Sequence, residues 1–555
     1  MAAPPAAPAF APPAATASAP QQTHLPAGRT PTRRRAHRHV VARPTGTGSP
    51  MLHLAAAVVG LLALAPLAFL VEQAAGSSMH QAVALLVRPR VGELLRNTLV
   101  LDVIVTAASV LLGTAAAWLT ECTTLAHARA YRVLLVLPVA IPEFVNGYTW
   151  VSLSPRVQGL WASVLVSTLS LYPLVYLPVA AMLSRRAGAL DDVARSLGAG
   201  PPTVVWRVVL PQLRPALLGG AVIVSLHLLG EYGAFALLRY PTFAVAVFNQ
   251  YRLGFDPAGA AVLSLVLVAL CMAVLGAQTA ADRGGPVTDR TAPATARESL
   301  KLGRGAGAAA HLGMGGLLAL ALGVPAVTLA SWLLRGSSTT LPGADIVQIL
   351  VNTLGLGLAA AAASIVLALP VAALAVRHPG PFGRLWERAS YLNRALPGVT
   401  VALALVFFTL RSAAWLYQSS LLLVAAYTLL FLPLAVVTVK AGTAQVPAAL
   451  PELASSLGIR PVGAWFRVTL PLLAPALASG AALVFLSTIT ELTATLLLHP
   501  TGVQTLATQF WVYTTGQSYG AAAPYAALMV ALSAGPTLLL VGQLDPRRRR
   551  PSVQS

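Results

Sequence analysis

The sequence predicts an all-α integral membrane protein of about twelve transmembrane helices, built as two parallel six-helix repeats. Three observations predict it. The composition is too apolar for a soluble chain, apolar runs of spanning length follow one another, and one ordered set of motifs occurs twice.

Of the 555 residues, 56% are hydrophobic and 10% are charged, and the mean hydropathy is +0.73. Soluble domains carry roughly a quarter charged residues. A chain this poor in polar groups cannot cover itself in water, whereas a bilayer accepts such a surface. The net charge of +20 does not point to nucleic acid, because no basic stripe is interleaved with aromatics. Two cysteines, Cys122 and Cys271, are too few for a disulfide framework or a zinc site.

Residues 1–49 are rich in Ala, Pro and Thr and end in a basic cluster from Arg29 to Arg43. Such a tail has little to bury and is expected to be disordered. The run Leu52–Val71 is long enough to span, and reads as an uncleaved first helix. Apolar runs place the first-repeat helices at 52–72, 97–120, 131–153, 157–183, 216–239 and 258–281. Those of the second repeat fall at 312–334, 350–376, 391–410, 413–439, 476–498 and 521–542. The repeats then occupy 50–281 and 312–543. A polar linker, 282–311, joins them and a basic tail, 544–555, follows.

The halves align. Asn97-Thr98-Leu99 returns as Asn352-Thr353-Leu354, Pro142 as Pro397, and Ser196-Leu197-Gly198 as Ser456-Leu457-Gly458. Leu210-Pro211 returns as Leu470-Pro471, Pro215 as Pro475 and Glu231 as Glu491. The order is never broken. An even number of spans per copy gives both the same orientation, hence a parallel repeat about an axis along the membrane normal. With the N-terminus inside, 29 of the 37 Lys and Arg residues fall on the inner side and 8 outside, as the positive-inside rule requires.

Two inner loops are long and alike. The first runs Leu190-Asp-Asp-Val-Ala-Arg-Ser-Leu-Gly198 to Leu210-Pro211, the second Leu450-Pro-Glu-Leu-Ala-Ser-Ser-Leu-Gly458 to Leu470-Pro471. Each begins with an acid on a short helix, Asp192 or Glu452. Small residues follow, including Ala194 and Ala454. Gly198 and Gly458 suit the left-handed position that ends a helix. Arg207 and Arg467 ride the next helix, and Pro211 and Pro471 mark its return to the bilayer.

Both loops resemble the signature of permeases from binding-protein-dependent ABC importers, which runs Glu-Ala-Ala, then Gly, then Leu-Pro. Asp192-Val193-Ala194 to Gly198 and Glu452-Leu453-Ala454 to Gly458 match it. The first copy has Asp for Glu and Val for the first Ala, and the second has Leu there. The resemblance covers both halves and implies that each loop docks on a cytoplasmic ATPase subunit. The chain's two lysines, Lys301 and Lys440, lie in no Gly-x-x-x-x-Gly-Lys-Ser/Thr loop. ATP and magnesium are therefore expected on two partner subunits, with no cofactor held by this chain.

The segment Leu229-Gly-Glu-Tyr-Gly-Ala-Phe through Phe243, and Glu491-Leu-Thr-Ala-Thr through Pro500, resemble fused two-domain ferric-iron permeases. That resemblance implies Fe³⁺ brought by an extracytoplasmic binding protein; thiamine and phosphonate permeases share the layout. An ion-gradient-driven secondary transporter is the alternative from another class. The residues themselves fit a cation. Glu231 and Glu491 fall inside expected spans, where a carboxylate costs about 2–4 kcal/mol and usually faces a cavity or a partner. Oxygens from Glu231 and Tyr232 suit a hard cation. The same glutamates would equally serve as hydrogen-bonding groups between helices. Asp102 and His227 read as polar contacts joining helices.

The charge distribution makes a topological prediction. Single cysteines placed near Arg33–Arg35, near Arg290 and within Arg547–Arg550, after removal of Cys122 and Cys271, should resist an impermeant thiol reagent in intact cells. Labelling of the linker from outside would contradict the twelve-span reading.

Overall fold

In the computed structural model, residues 50–76, 78–185, 193–194, 196–282, 300–335, 345–378, 380–447 and 449–543 are described. The N-terminal and C-terminal tails and most of the linker lie outside them. Every regular element among the described residues is a helix, and one isolated bridge joins Thr123 and Leu300.

Among the described residues, ten helices are long and apolar enough to cross a membrane. They are α1 (Pro50–Ala75), α2 (Pro89–Cys122), α3 (Gly159–Ser184), α4 (Val205–Gly230), α5 (Pro257–Ala281), α6 (Arg304–Leu334), α7 (Asp345–Arg377), α8 (Ser420–Gln445), α9 (Val462–Ile489) and α10 (Tyr519–Leu538). Each of α1 to α5 corresponds to the helix five numbers later. In both repeats α2 or α7 packs on α3 or α8, and that helix packs on α4 or α9. The first helix of each repeat reaches across to the other. Helix α1 lies on Pro381–Leu392 and Gly398–Ser412, and the end of α6 lies on Glu143–Leu153.

The count of about twelve helices treated 131–153 and 391–410 as continuous, and neither is. Leu396 has φ −97° and ψ 111°, Pro397 has φ −58° and ψ 151°, and the flanking helices Pro381–Ala395 and Gly398–Ser412 meet at 106°. Ile141 and Pro142 repeat these angles, φ −95°, ψ 111° and φ −54°, ψ 141°. The cause is steric: proline excludes the residue before it from the helical region. With the bent pair as one span the count is eleven. Helix α6 also starts at Arg304, eight residues before the expected 312.

The expected fifth spans, 216–239 and 476–498, start and stop earlier. Helix α4 opens with a π turn at Val205–Val209, α9 carries one near its start at Trp465–Thr469, and they end at Gly230 and Ile489. Short helices follow at Gly233–Leu237 and Phe243–Arg252, and at Thr493–Leu498 and Leu506–Thr515. The Asn-Thr repeats hold these returning segments. Thr98 Oγ1 accepts from Phe243 N at 3.0 Å, as Thr353 Oγ1 does from Leu506 N at 2.9 Å. Asn97 Nδ2 donates to the Pro241 carbonyl and Asn352 Nδ2 to that of Gln504.

Close helix approach depends on small residues. A Cβ on Gly220 would lie 3.0 Å from Val175 Cα, and one on its repeat equivalent Gly480 would lie 2.4 Å from Thr438 Oγ1. Overpacking a tight interface costs about 1–3 kcal/mol. Gly220→Val and Gly480→Val should each lower the thermal unfolding temperature of the detergent-purified protein, while Gly276→Ala, which meets no neighbour within 4 Å, should leave it unchanged. Equal melting of all three would contradict this packing.

Candidate functional site

The paired loops end in matched turns. Gly198 has φ +83° and Gly458 has φ +78°, the left-handed region that a side chain tolerates poorly. Beyond them Ala199 N donates to the Ala194 carbonyl and Ile459 N to that of Ala454, both at 3.0 Å. This six-to-one bond ties off the helix end in the Schellman manner. Ala454 is buried beneath its turn, and Ala194 is half-buried. Leu197 and Leu457 stand 82% and 79% exposed at equivalent positions. Glu452 lies within the helix Ala449–Ser456, whereas Asp192 lies outside the described residues. Pro211 and Pro471 sit at the second position of the α-helical parts of α4 and α9, just after the π turns.

At the opposite end of α4 and α9 the two acids do the same local job. Glu231 Oε1 accepts from Ala234 N at 2.8 Å and Glu491 Oε1 from Ala494 N at 2.9 Å. Each carboxylate thus caps the short helix after its break, satisfying an amide that the helix cannot. The breaks adjoin across the repeats: a Cβ on Gly233 would lie 2.7 Å from Leu492 Cδ2. Tyr232, expected beside Glu231 as a ligand, stacks its ring on Phe248 at 4.0 Å and lies 5.4 Å from Trp511 of the second repeat. Its ring forms part of the wall of a cavity of about 480 Å³, which Arg90 and Arg239 also line.

Glu143 and His227 join Glu231. One ligand atom from each of the three side chains lies within 4.8 Å of the others. His227 Nε2 is 3.1 Å from Glu143 Oε2, and the Ser167 hydroxyl donates to Glu143 Oε1. The Glu143 side chain is 2% exposed and that of His227 45% exposed, so the group opens on one side to space a water can enter. Glu491 lies within electrostatic reach of His227 and Glu231. Asp102 does join helices, accepting from Ser225 at 2.7 Å.

Comparison with known proteins agrees with the doubled architecture. The family model described as binding-protein-dependent transport system inner membrane component matches twice, at residues 109–284 and 364–550. The chain belongs to this family. It is a fused permease, with both copies on one polypeptide. Over 496 residues it is 36% identical to the Fe(3+)-transport system permease protein FbpB 2 of Haemophilus influenzae, covering 87% of this chain and 96% of that one. Two further relatives match over shorter stretches. The molybdenum transport system permease protein ModB of Mycobacterium tuberculosis is 34% identical over 27% of this chain and 66% of its own. The sulfate transport system permease protein CysT of Escherichia coli is 27% identical over 41% of this chain and 90% of its own.

Sequence reasoning passed over Glu143 in this permease, although an acid directly after a proline in an apolar run was a visible signal. His227 was noticed, but nothing in the sequence places it against Glu143, 84 residues away.

Proposed function

We propose that this permease is the membrane subunit of an ATP-driven importer for ferric iron, handed over by an extracytoplasmic binding protein. The observation that carries the reading is similarity along almost the whole length of a ferric-iron permease. The molybdenum and sulfate permeases match only parts of the chain. In this reading two ATPase subunits dock on the two loops and supply ATP and magnesium, and both termini are cytoplasmic. The protruding Leu197 and Leu457, with Val193 and Leu453 also exposed, give each loop an apolar edge for a partner to cover. Asp192 and Glu452 pair there with basic groups of the ATPase. Thiamine or phosphonate import and gradient-driven transport have no comparable support.

The turns are rigid transmitters in this scheme. Replacing Gly198 and Gly458 together by Val forces β-branched residues to positive φ. Expressed with its ATPase subunits, the double variant should retain them on purification but lose most binding-protein-stimulated iron uptake. Undiminished uptake by that variant would contradict the coupling role, and failure of the wild-type chain to purify with any ATPase would contradict the importer reading.

A further inference from the structure

We infer that Glu143, His227 and Glu231 form a single hard-cation site beside the break after α4, with Glu491 supplying a third negative charge, and that the site takes a trivalent ion. Its purpose in transport rests on the proposed importer function, but its chemistry does not.

The geometry fits an ion. Hard cations hold carboxylate oxygens and imidazole nitrogen at about 2.0–2.6 Å, so ligands on opposite sides of one ion lie roughly 4–5 Å apart. The three ligand atoms lie within 4.8 Å of one another, so an ion needs only small side-chain movements to be held. The group also has a closed back and an open front, since Glu143 is buried while His227 is accessible.

A second observation points to a ligand. Glu143 Oε1 is taken by Ser167, while Oε2 is buried and faces His227 Nε2 at 3.1 Å. Buried carboxylate oxygens are normally saturated with donors because an unpaired one is costly. This one is directed into the group, where an ion would replace the imidazole proton as its partner. Fully ionised, Glu143, Glu231 and Glu491 carry three negative charges. A neutral imidazole with three carboxylates balances a trivalent ion and would overcompensate a divalent one.

The site is also unrepeated. Glu143 corresponds to Gly398 and His227 to Ser487, whereas the capping glutamates occur in both halves. At Gly398 the place of a side chain is filled by Glu491, whose Oε1 would lie 2.8 Å from a Cβ. The fold therefore keeps the acid that caps in both repeats and the full ligand set in one. Three protein ligands leave coordination positions open, which suits an ion that must leave again.

The test titrates terbium(III), a hard trivalent luminescent probe, into the full-length chain in lipid nanodiscs, with size exclusion verifying each variant. One ion per chain is expected. Glu143→Gln and His227→Gln should each weaken binding at least ~10-fold, the smaller end of what even outer-shell changes cost a metal site. Glu93→Gln, at an exposed acid paired with Arg90, should have no effect. Absence of terbium binding to the wild type, or wild-type binding by His227→Gln and by a folded Glu143→Gln, would overturn the site. So would loss of binding in Glu93→Gln alone. Should terbium bind as expected while the assembled complex imports no iron, the site stands and the cargo assignment fails. Wild-type iron uptake by Glu143→Gln would overturn the site's place in transport and leave the importer reading intact.

Discussion

Backbone amides inside a bilayer must find partners within the protein, and the two breaks after Gly230 and Ile489 are where this chain meets that constraint. An unsatisfied amide in hydrocarbon costs several kcal/mol. The structure answers with a carboxylate at each break, Glu231 onto Ala234 N and Glu491 onto Ala494 N. A hydrogen bond contributes about 0.5–1.5 kcal/mol net, and about 1.5–3 kcal/mol to a charged acceptor. Once the helices end there, the chain turns back through short helices, which Thr98 and Thr353 catch by hydroxyl oxygens. The breaks at Ile141–Pro142 and Leu396–Pro397 supply the opposing segments. Glu143, one residue past its break, thereby meets His227 on α4. Polar chemistry in this membrane bundle is thus gathered at the places where helices stop.

What the two repeats share and where they differ divide along functional lines. The capped breaks, the Asn-Thr anchors, the proline bends and the left-handed glycines occur twice, and all of them fix backbone. Where chemistry differs, packing compensates in kind. The Asp102–Ser225 hydrogen bond of the first repeat corresponds to Gly357 and Phe485, whose ring would lie 3.0 Å from a Cβ on that glycine. A small and a large residue there fill the space that a hydrogen-bonded pair fills in the first repeat. Glu143 and His227 have no such counterparts, since Gly398 and Ser487 replace them. The pseudo-symmetry therefore builds a scaffold on which one repeat carries the distinctive polar groups.

Much of this was legible in the sequence because it rests on local or periodic signals. Hydropathy locates long helices, and repeated motifs reveal two copies. A glycine after a short helix in each loop announces the left-handed turn that Gly198 and Gly458 adopt. The broken third segments were signalled too, since a proline constrains the residue before it, but hydropathy alone ran across them. The same averaging extended 216–239 past Gly230, because the short helix Gly233–Leu237 is as apolar as the span before it. The meeting of Glu143 with His227, and the stacking of Tyr232 on Phe248 beside Trp511, depends on tertiary packing between distant segments and across the repeats. No spacing in the sequence encodes it.

In the proposed importer, the charge of the break glutamates serves the cation route in addition to their capping. Gln retains an oxygen that accepts from Ala234 N and Ala494 N, so Glu231→Gln with Glu491→Gln separates the two roles. The direct measurement is radiolabelled iron uptake by the assembled complex, made beside the quantified yield of intact complex. Normal assembly with uptake reduced at least tenfold is the expected result. Wild-type uptake by the double variant at normal yield would contradict it.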